Sequence, residues 1–165
     1  KSGVSAKDII LKIIQEVGNE IWIGSNAGLF IYSNDDPQLM RASDFFKRQP
    51  ITNFTKVTAI EYLRDEIYVA GRMGLAKFDL KEKEWEVIAQ QSQYNNNIVH
   101  SMAINDKFIF LGTREGLTRI NKRSGLVRDY NYTFLGSVND IFLDKSIIWL
   151  GTSTGLIKFK WKKDL

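Results

Sequence analysis

One phrase recurs four times in 165 residues. It reads "IWIGSNAGLFIY" from Ile21, "IYVAGRMGLAKF" from Ile67, "IFLGTREGLTRI" from Ile109 and "IWLGTSTGLIKF" from Ile148. The glycine-leucine pairs Gly28-Leu29, Gly74-Leu75, Gly116-Leu117 and Gly155-Leu156 fall 46, 42 and 39 residues apart. A period near 40 with drifting length marks a stacked supersecondary unit whose insertions fall in loops.

The pattern extends upstream. Leu11, Val57, Val99 and Val138 each stand ten residues before the isoleucine that opens their phrase, and Ile14, Ile60, Met102 and Ile141 follow three residues later. Polar turns come next: "GNE" at Gly18, "RDE" at Arg64, "NDK" at Asn105 and "DKS" at Asp144. Each unit therefore reads strand, polar turn, strand, glycine-bounded turn, strand. A variable fourth strand follows as "LMRASDFF" from Leu39, "WEVIAQ" from Trp85 and "LVRDYNY" from Leu126. β-branched and aromatic residues between turn signals support strands.

The second strand lacks polar alternation, which predicts burial on both faces. Trp22, Tyr68, Phe110 and Trp149 recur on it in register and are expected in the core. The first glycine of each phrase, replaced by Ala70 in the second unit, suits a close approach or a positive φ. Four-stranded units of this period, stacked face to face, are blades of a β-propeller. The predicted fold is all-β: four consecutive four-stranded blades, the last lacking its outer strand. Blade one covers about 8–53, blade two about 54–96, blade three about 97–136 and blade four about 137–165. One stretch disagrees locally. "SAKDIILKIIQEVGNE" places Ile9, Ile10, Ile13, Ile14 and Val17 at helical spacing, with Ser5 and Asp8 as a capping box. The repeat register makes it the first strand of blade one instead.

These phrases, preceded in blade three by Val99, Met102 and Asp106 and in blade four by Val138, Ile141 and Asp144, resemble the two-component-regulator propeller repeat. That resemblance implies a periplasmic sensor region of a bacterial hybrid histidine kinase, or a propeller of a cell-surface or secretion assembly. Such propellers usually have more blades per ring than four. The resemblance therefore points to part of a larger propeller, or to a chain that completes itself by association. The start at Lys1 likewise suggests an excerpted or processed segment. Residues Lys1–Ser5 are short for the missing outer strand of blade four.

Composition narrows the chemistry. With no cysteine there is neither a disulfide nor a thiolate metal site, and a single histidine makes a metal site improbable on chemistry alone. The net charge of +4 is spread among interspersed acids and bases, which is no nucleic-acid footprint. No apolar run reaches the roughly 18 residues of a membrane span. No nucleophile elbow, phosphate-cradling loop or metalloprotease helix is present. The carboxylates Asp8, Asp140 and Glu115 are candidates for a glycosidase pair, but nothing in the sequence pairs them. The chain is expected to be non-enzymatic and free of cofactors and metal.

Two registers are candidates for recognition. Lys12, Thr58, His100 and Asn139 occupy the second position of each first strand, the strand that lines a propeller's channel. The loops Ser25-Asn26-Ala27, Gly71-Arg72-Met73, Thr113-Arg114-Glu115 and Thr152-Ser153-Thr154 vary on a constant frame at the same rim. The candidate ligand-binding residues are Asn26, Arg72, Arg114, Ser153, Thr58, His100 and Asn139, with Arg72 and Arg114 foremost. Trp85, Tyr94, Tyr130, Tyr132 and Trp161 lie outside the repeated aromatic register and are candidates for a stacking patch. The expected function is a binding module of a periplasmic or cell-surface sensor, taking a small molecule, a glycan or a protein. The alternatives are an assembly scaffold and, behind it, a propeller lyase or glycosidase. Further blades or a second copy are expected partners; nucleic acid and direct membrane insertion are not.

Overall fold

The computed structural model describes residues 9–46, 55–72, 74–89 and 98–161. Blade one is the meander β1 (Leu11–Val17), β2 (Glu20–Ser25), β3 (Gly28–Ser33) and β4 (Leu39–Arg41), followed by the short helix α1 (Ala42–Phe45). Blade two is β5 (Val57–Leu63), β6 (Glu66–Gly71), β7 (Gly74–Asp79) and β8 (Glu84–Ala89). Blade three is β9 (Val99–Ile104), β10 (Phe108–Thr113), β11 (Gly116–Asn121) and β12 (Val127–Tyr130). Blade four is β13 (Val138–Asp144), β14 (Ile147–Thr152) and β15 (Gly155–Phe159), three strands among the described residues. Every pairing is antiparallel, and the strand order follows the sequence order. The helical spacing at residues 9–17 gives way to β1, because pairing with β2 satisfies its backbone.

Turn chemistry sets this geometry. Gly18, Arg64 and Lys145 open the two-residue β1–β2, β5–β6 and β13–β14 turns with φ of 58°, 60° and 53°. Such turns match the right-handed twist of the strands they join. The invariant second glycine opens each third strand: Gly28, Gly74, Gly116 and Gly155 have φ between 114° and 134°. Side chains rarely adopt that region, so no substitute appears there. A hydroxyl locks the turn before it. The Oγ of Ser25 donates to the Gly28 carbonyl at 3.0 Å, Thr113 Oγ1 to Gly116 at 3.2 Å and Thr152 Oγ1 to Gly155 at 2.9 Å. The same oxygens accept from the backbone N–H of Ala27, Glu115 and Thr154. Blade two has Gly71 at that position and does without the hydroxyl.

Each sheet has two unlike faces. The aromatic face carries Trp22, Tyr68, Phe110 or Trp149 together with the leucine of the repeat. The isoleucine face carries Ile21, Ile67, Ile109 or Ile148 with Ile14, Ile60, Met102 or Ile141. The chain divides into two compact units, residues 1–88 and 89–165. In the first, the aromatic face of blade one meets the isoleucine face of blade two: Trp22, Leu29 and Ile31 pack with Ile60, Ile67, Val69 and Phe78. In the second, Phe110, Leu117 and Tyr130 of blade three pack with Ile141, Ile148 and Leu150 of blade four. Burying a large apolar side chain stabilises by about 1.5–3 kcal/mol, so these two seams carry most of each unit's cohesion.

The expectation of double burial holds for β6 and β10, whose Ile67, Tyr68, Val69 and Ile109, Phe110, Leu111 are fully buried. It fails for the outer blades. Ile21 and Ile23 are half-buried, and so is Trp149, which sequence register alone assigns to the core. The reason is one-sided packing: the core of the first unit takes the aromatic face of blade one and that of the second unit the isoleucine face of blade four, while on the other face of blade one Phe30 is covered by its own sheet's Arg41, 5.3 Å from the ring centre. Lys158 instead lies over the Trp149 ring, 5.2 Å from its centre.

Candidate functional site

A bulge interrupts each first strand near its start. Leu11 and Ile13 oppose Ser25 and Gly24, so Lys12 has no partner across the ladder. Thr58, His100 and Asn139 are skipped in the same way opposite β6, β10 and β14. The polar register read from the sequence is therefore the register of the extra residue. A bulge re-aims a side chain that an ordinary strand would direct into the seam. Lys12, His100 and Asn139 are exposed, and Thr58 is half-buried.

The glycine opposite the bulge admits the next blade. A Cβ built on Gly24 would lie 2.7 Å from Val57 Cγ1, and one on Gly112 would lie 2.7 Å from the Val138 carbonyl oxygen. The first glycine of the phrase is thus a close-approach position. A Cβ built on Gly151, in blade four, would meet its own sheet instead, the nearest atom being Asp140 Cβ at 3.3 Å.

The variable loops reach the same rim as the starts of the first strands. The backbone N–H of Asn26 donates to the Ile10 carbonyl at 3.1 Å, that of Arg72 to Thr55 and Lys56 at 3.2 Å, and that of Ser153 to Ser137 at 2.9 Å. Two predicted ligand residues also put their side chains into this frame. Asn26 Oδ1 accepts the Ile10 N–H at 2.7 Å, and Ser153 Oγ accepts the Ser137 N–H at 3.1 Å. Asn139 Oδ1 accepts from Ser137 Oγ at 3.0 Å, and Thr58 Oγ1 reaches the Ala70 carbonyl at 3.5 Å. Arg72 and Arg114 remain exposed at the tips, with no ion pair among the described residues. In the first unit the rim thus gathers Lys12, Thr58, Asn26 and Arg72. In the second it gathers His100, Asn139, Arg114 and Ser153.

The aromatic candidates divide sharply. Trp85 packs against Trp22, Phe46 and Phe78, with ring centres 6.0, 5.5 and 5.1 Å away. Tyr130 and Trp161 are buried around Arg119, whose guanidinium lies 5.8 Å from each ring and 4.8 Å from Phe108. These three are core fillers. Tyr132 is exposed, and it stacks at 7° on Phe134, which is also exposed and lies outside the register that singled out the others. Tyr94, Met73 and Asp8 lie outside the described residues, as does the Lys1–Ser5 stretch. Asp140 and Glu115 are exposed carboxylates, and Asp140 Oδ1 accepts the Ile141 N–H at 2.9 Å. Among the described residues no three His, Asp or Glu side chains gather as a metal site, and no helix is long and apolar enough to cross a membrane.

The same arrangement of sheets occurs in solved structures. The chain is similar to the extracellular domain ascribed to the hybrid two component system BT3049 from B. thetaiotaomicron, with a TM-score of 0.76 and 19% identity. That match covers 99% of this chain and 24% of the other. The extracellular domain ascribed to the hybrid two component system BT4673 of the same organism matches with a TM-score of 0.71 and 21% identity, over 90% of this chain and 20% of that one. The chain has the β-propeller fold. It spans about a quarter or less of those two extracellular domains. The computationally designed Ika4 protein matches nearly end to end, over 96% of this chain and 95% of its own, at a TM-score of 0.68 and 12% identity. No protein-family model matches the sequence, and no curated protein does.

Proposed function

We propose that this propeller is a non-catalytic binding module of an extracellular or periplasmic sensor of the hybrid two-component type, bearing the two-component-regulator propeller repeat. One observation carries the reading: the same bulge, on the same frame, holds out four chemically different side chains, Lys12, Thr58, His100 and Asn139. A scaffold that repeats while its projecting residues vary is built for recognition rather than for one reaction. Arg72 and Arg114 add guanidinium forks suited to carboxylate groups. The likeness to two extracellular sensor domains supports the setting. In such a parent, ligand binding would bias an equilibrium between two conformations of the whole receptor.

The test is thermal unfolding in the presence of a panel of mono- and oligosaccharides, dicarboxylates and short acidic peptides. A ligand at a hundred times its Kd stabilises by about 2.7 kcal/mol. The expected result is a stabilising member whose effect disappears in the His100→Ala/Arg114→Ala variant. Stabilisation that survives this double change and also Lys12→Ala/Arg72→Ala would refute a rim site.

A further inference from the structure

The repeat allows burial to be compared at one position across four blades. The leucine that follows the second glycine is buried at Leu29, Leu75 and Leu117, yet Leu156 is 73% exposed. The isoleucine of the first strand is the mirror case. Ile60, Met102 and Ile141 are buried, whereas Ile14 is 58% exposed. Phe142 shares the Leu156 face and is 66% exposed. Blade four thus leaves an aromatic face uncovered, with Phe142, Trp149 and Leu156 on it. Blade one leaves most of its isoleucine face uncovered: Ile14 and Leu39 are exposed and Ile21 and Ile23 half-buried, while Phe30 on the same face lies under Arg41.

These are the two halves of one seam. Inside each unit an aromatic face is seated on an isoleucine face, once between blades one and two and once between blades three and four. The uncovered faces are the unmatched partners of that pairing, and one molecule offers both. Each also mixes charge signs: Glu16 and Arg41 on the isoleucine face, Asp140, Asp144 and Lys158 on the aromatic face. Apposing them therefore sets no block of like charge against another. Contiguous exposed apolar surface of this kind marks an association site.

We infer that the aromatic face of blade four takes the isoleucine face of blade one from a second copy of this chain. The contact is heterologous, head to tail, with different patches on the two copies. It uses the blade faces and leaves the rim untouched, so it stands independently of the recognition reading above.

Sedimentation velocity of the full 165-residue chain tests it, over about two decades of concentration. The expected result is concentration-dependent assembly above the 19.0 kDa chain mass. Leu156→Asp and Ile14→Asp each remove one face at an exposed position. Each variant alone is expected to sediment as a monomer with an unchanged circular dichroism spectrum. Mixed in equal amounts, the two restore a dimer, because one keeps the isoleucine face and the other keeps the aromatic face. A second variant on the blade-four face, Phe142→Asp, should behave as Leu156→Asp does. A wild-type chain that stays monomeric throughout overturns the inference and leaves these faces to other blades. So does an Ile14→Asp variant that still dimerises, which would mean that like faces pair.

Discussion

Gly112 faces the carbonyl of Val138 so closely that a Cβ built on it would lie 2.7 Å from that oxygen and 2.8 Å from Val138 Cγ1. The Ser101 hydroxyl would be closer still. Backbone on one side and a side chain on the other leave no direction of escape. Gly112→Ala is therefore expected to lower the stability of the second unit by about 2–3 kcal/mol, the usual cost of overpacking a closed seam. Chemical denaturation measures it. A loss below about 0.5 kcal/mol would show that the seam relaxes freely.

Lys145 pays for a tight turn with a left-handed backbone. Its φ is 53°, it is exposed, and the same position in blade one is Gly18. For a residue with a Cβ that conformation costs roughly 1 kcal/mol, offset in part by the greater freedom glycine gains when unfolded. Lys145→Gly should raise stability by about 0.5 kcal/mol, and the midpoint of thermal unfolding should rise with it. A lower midpoint would contradict the turn assignment.

Tyr68 makes stability fall at alkaline pH. Its burial is the main cause of a pKa far above the ordinary tyrosine value, aided by its 2.7 Å hydrogen bond to the Glu66 carboxylate and by the negative charges of Glu66 and Glu86. Lys77 bridges the same two carboxylates at 3.0 and 3.1 Å. The folded phenol keeps its proton while the unfolded one releases it near pH 10, so the favourable contribution is complete below about pH 10 and is lost above it. The slope from this one group approaches about 1.4 kcal/mol per pH unit. Tyr68→Phe should flatten the alkaline limb of a stability-against-pH curve by that amount, and an unchanged limb would rule out the buried phenol as its cause.

What was legible in the sequence is what the repeat encodes locally. Val57, Val99 and Val138 open their strands as the spacing says, because ladder pairing forces equal lengths between equal turns. The invariance of the second glycine was legible for the same reason; its positive φ was not, since the sequence allows that conformation at the first glycine, which the structure makes a close-approach position instead. The bulges at Lys12, Thr58, His100 and Asn139 appeared only as a polar register, since a skipped ladder partner leaves no residue signature of its own. The exposure of Leu156 was not legible at all: it is the same residue in the same phrase as Leu117, and only the neighbouring sheet differs. The roles of Trp85, Tyr130 and Trp161 were likewise hidden, because an aromatic outside the repeated register looks alike whether it faces solvent or closes a cluster. The turn-locking hydroxyls of Ser25, Thr113 and Thr152 could have been found, since three of the four phrases carry one after the first glycine. In the sequence alone they read as part of the presented loop.

The division of labour between repeated scaffold and unrepeated rim is tested most directly by comparing two variants of the second unit in thermal and urea unfolding. Leu117→Ala removes a fully buried side chain of the seam and should cost about 3 kcal/mol. His100→Ala/Arg114→Ala changes two exposed rim residues and should stay within about 0.5 kcal/mol of the parent. If the rim variant instead unfolds as early as Leu117→Ala, those side chains belong to the scaffold and the recognition surface is not where this account puts it.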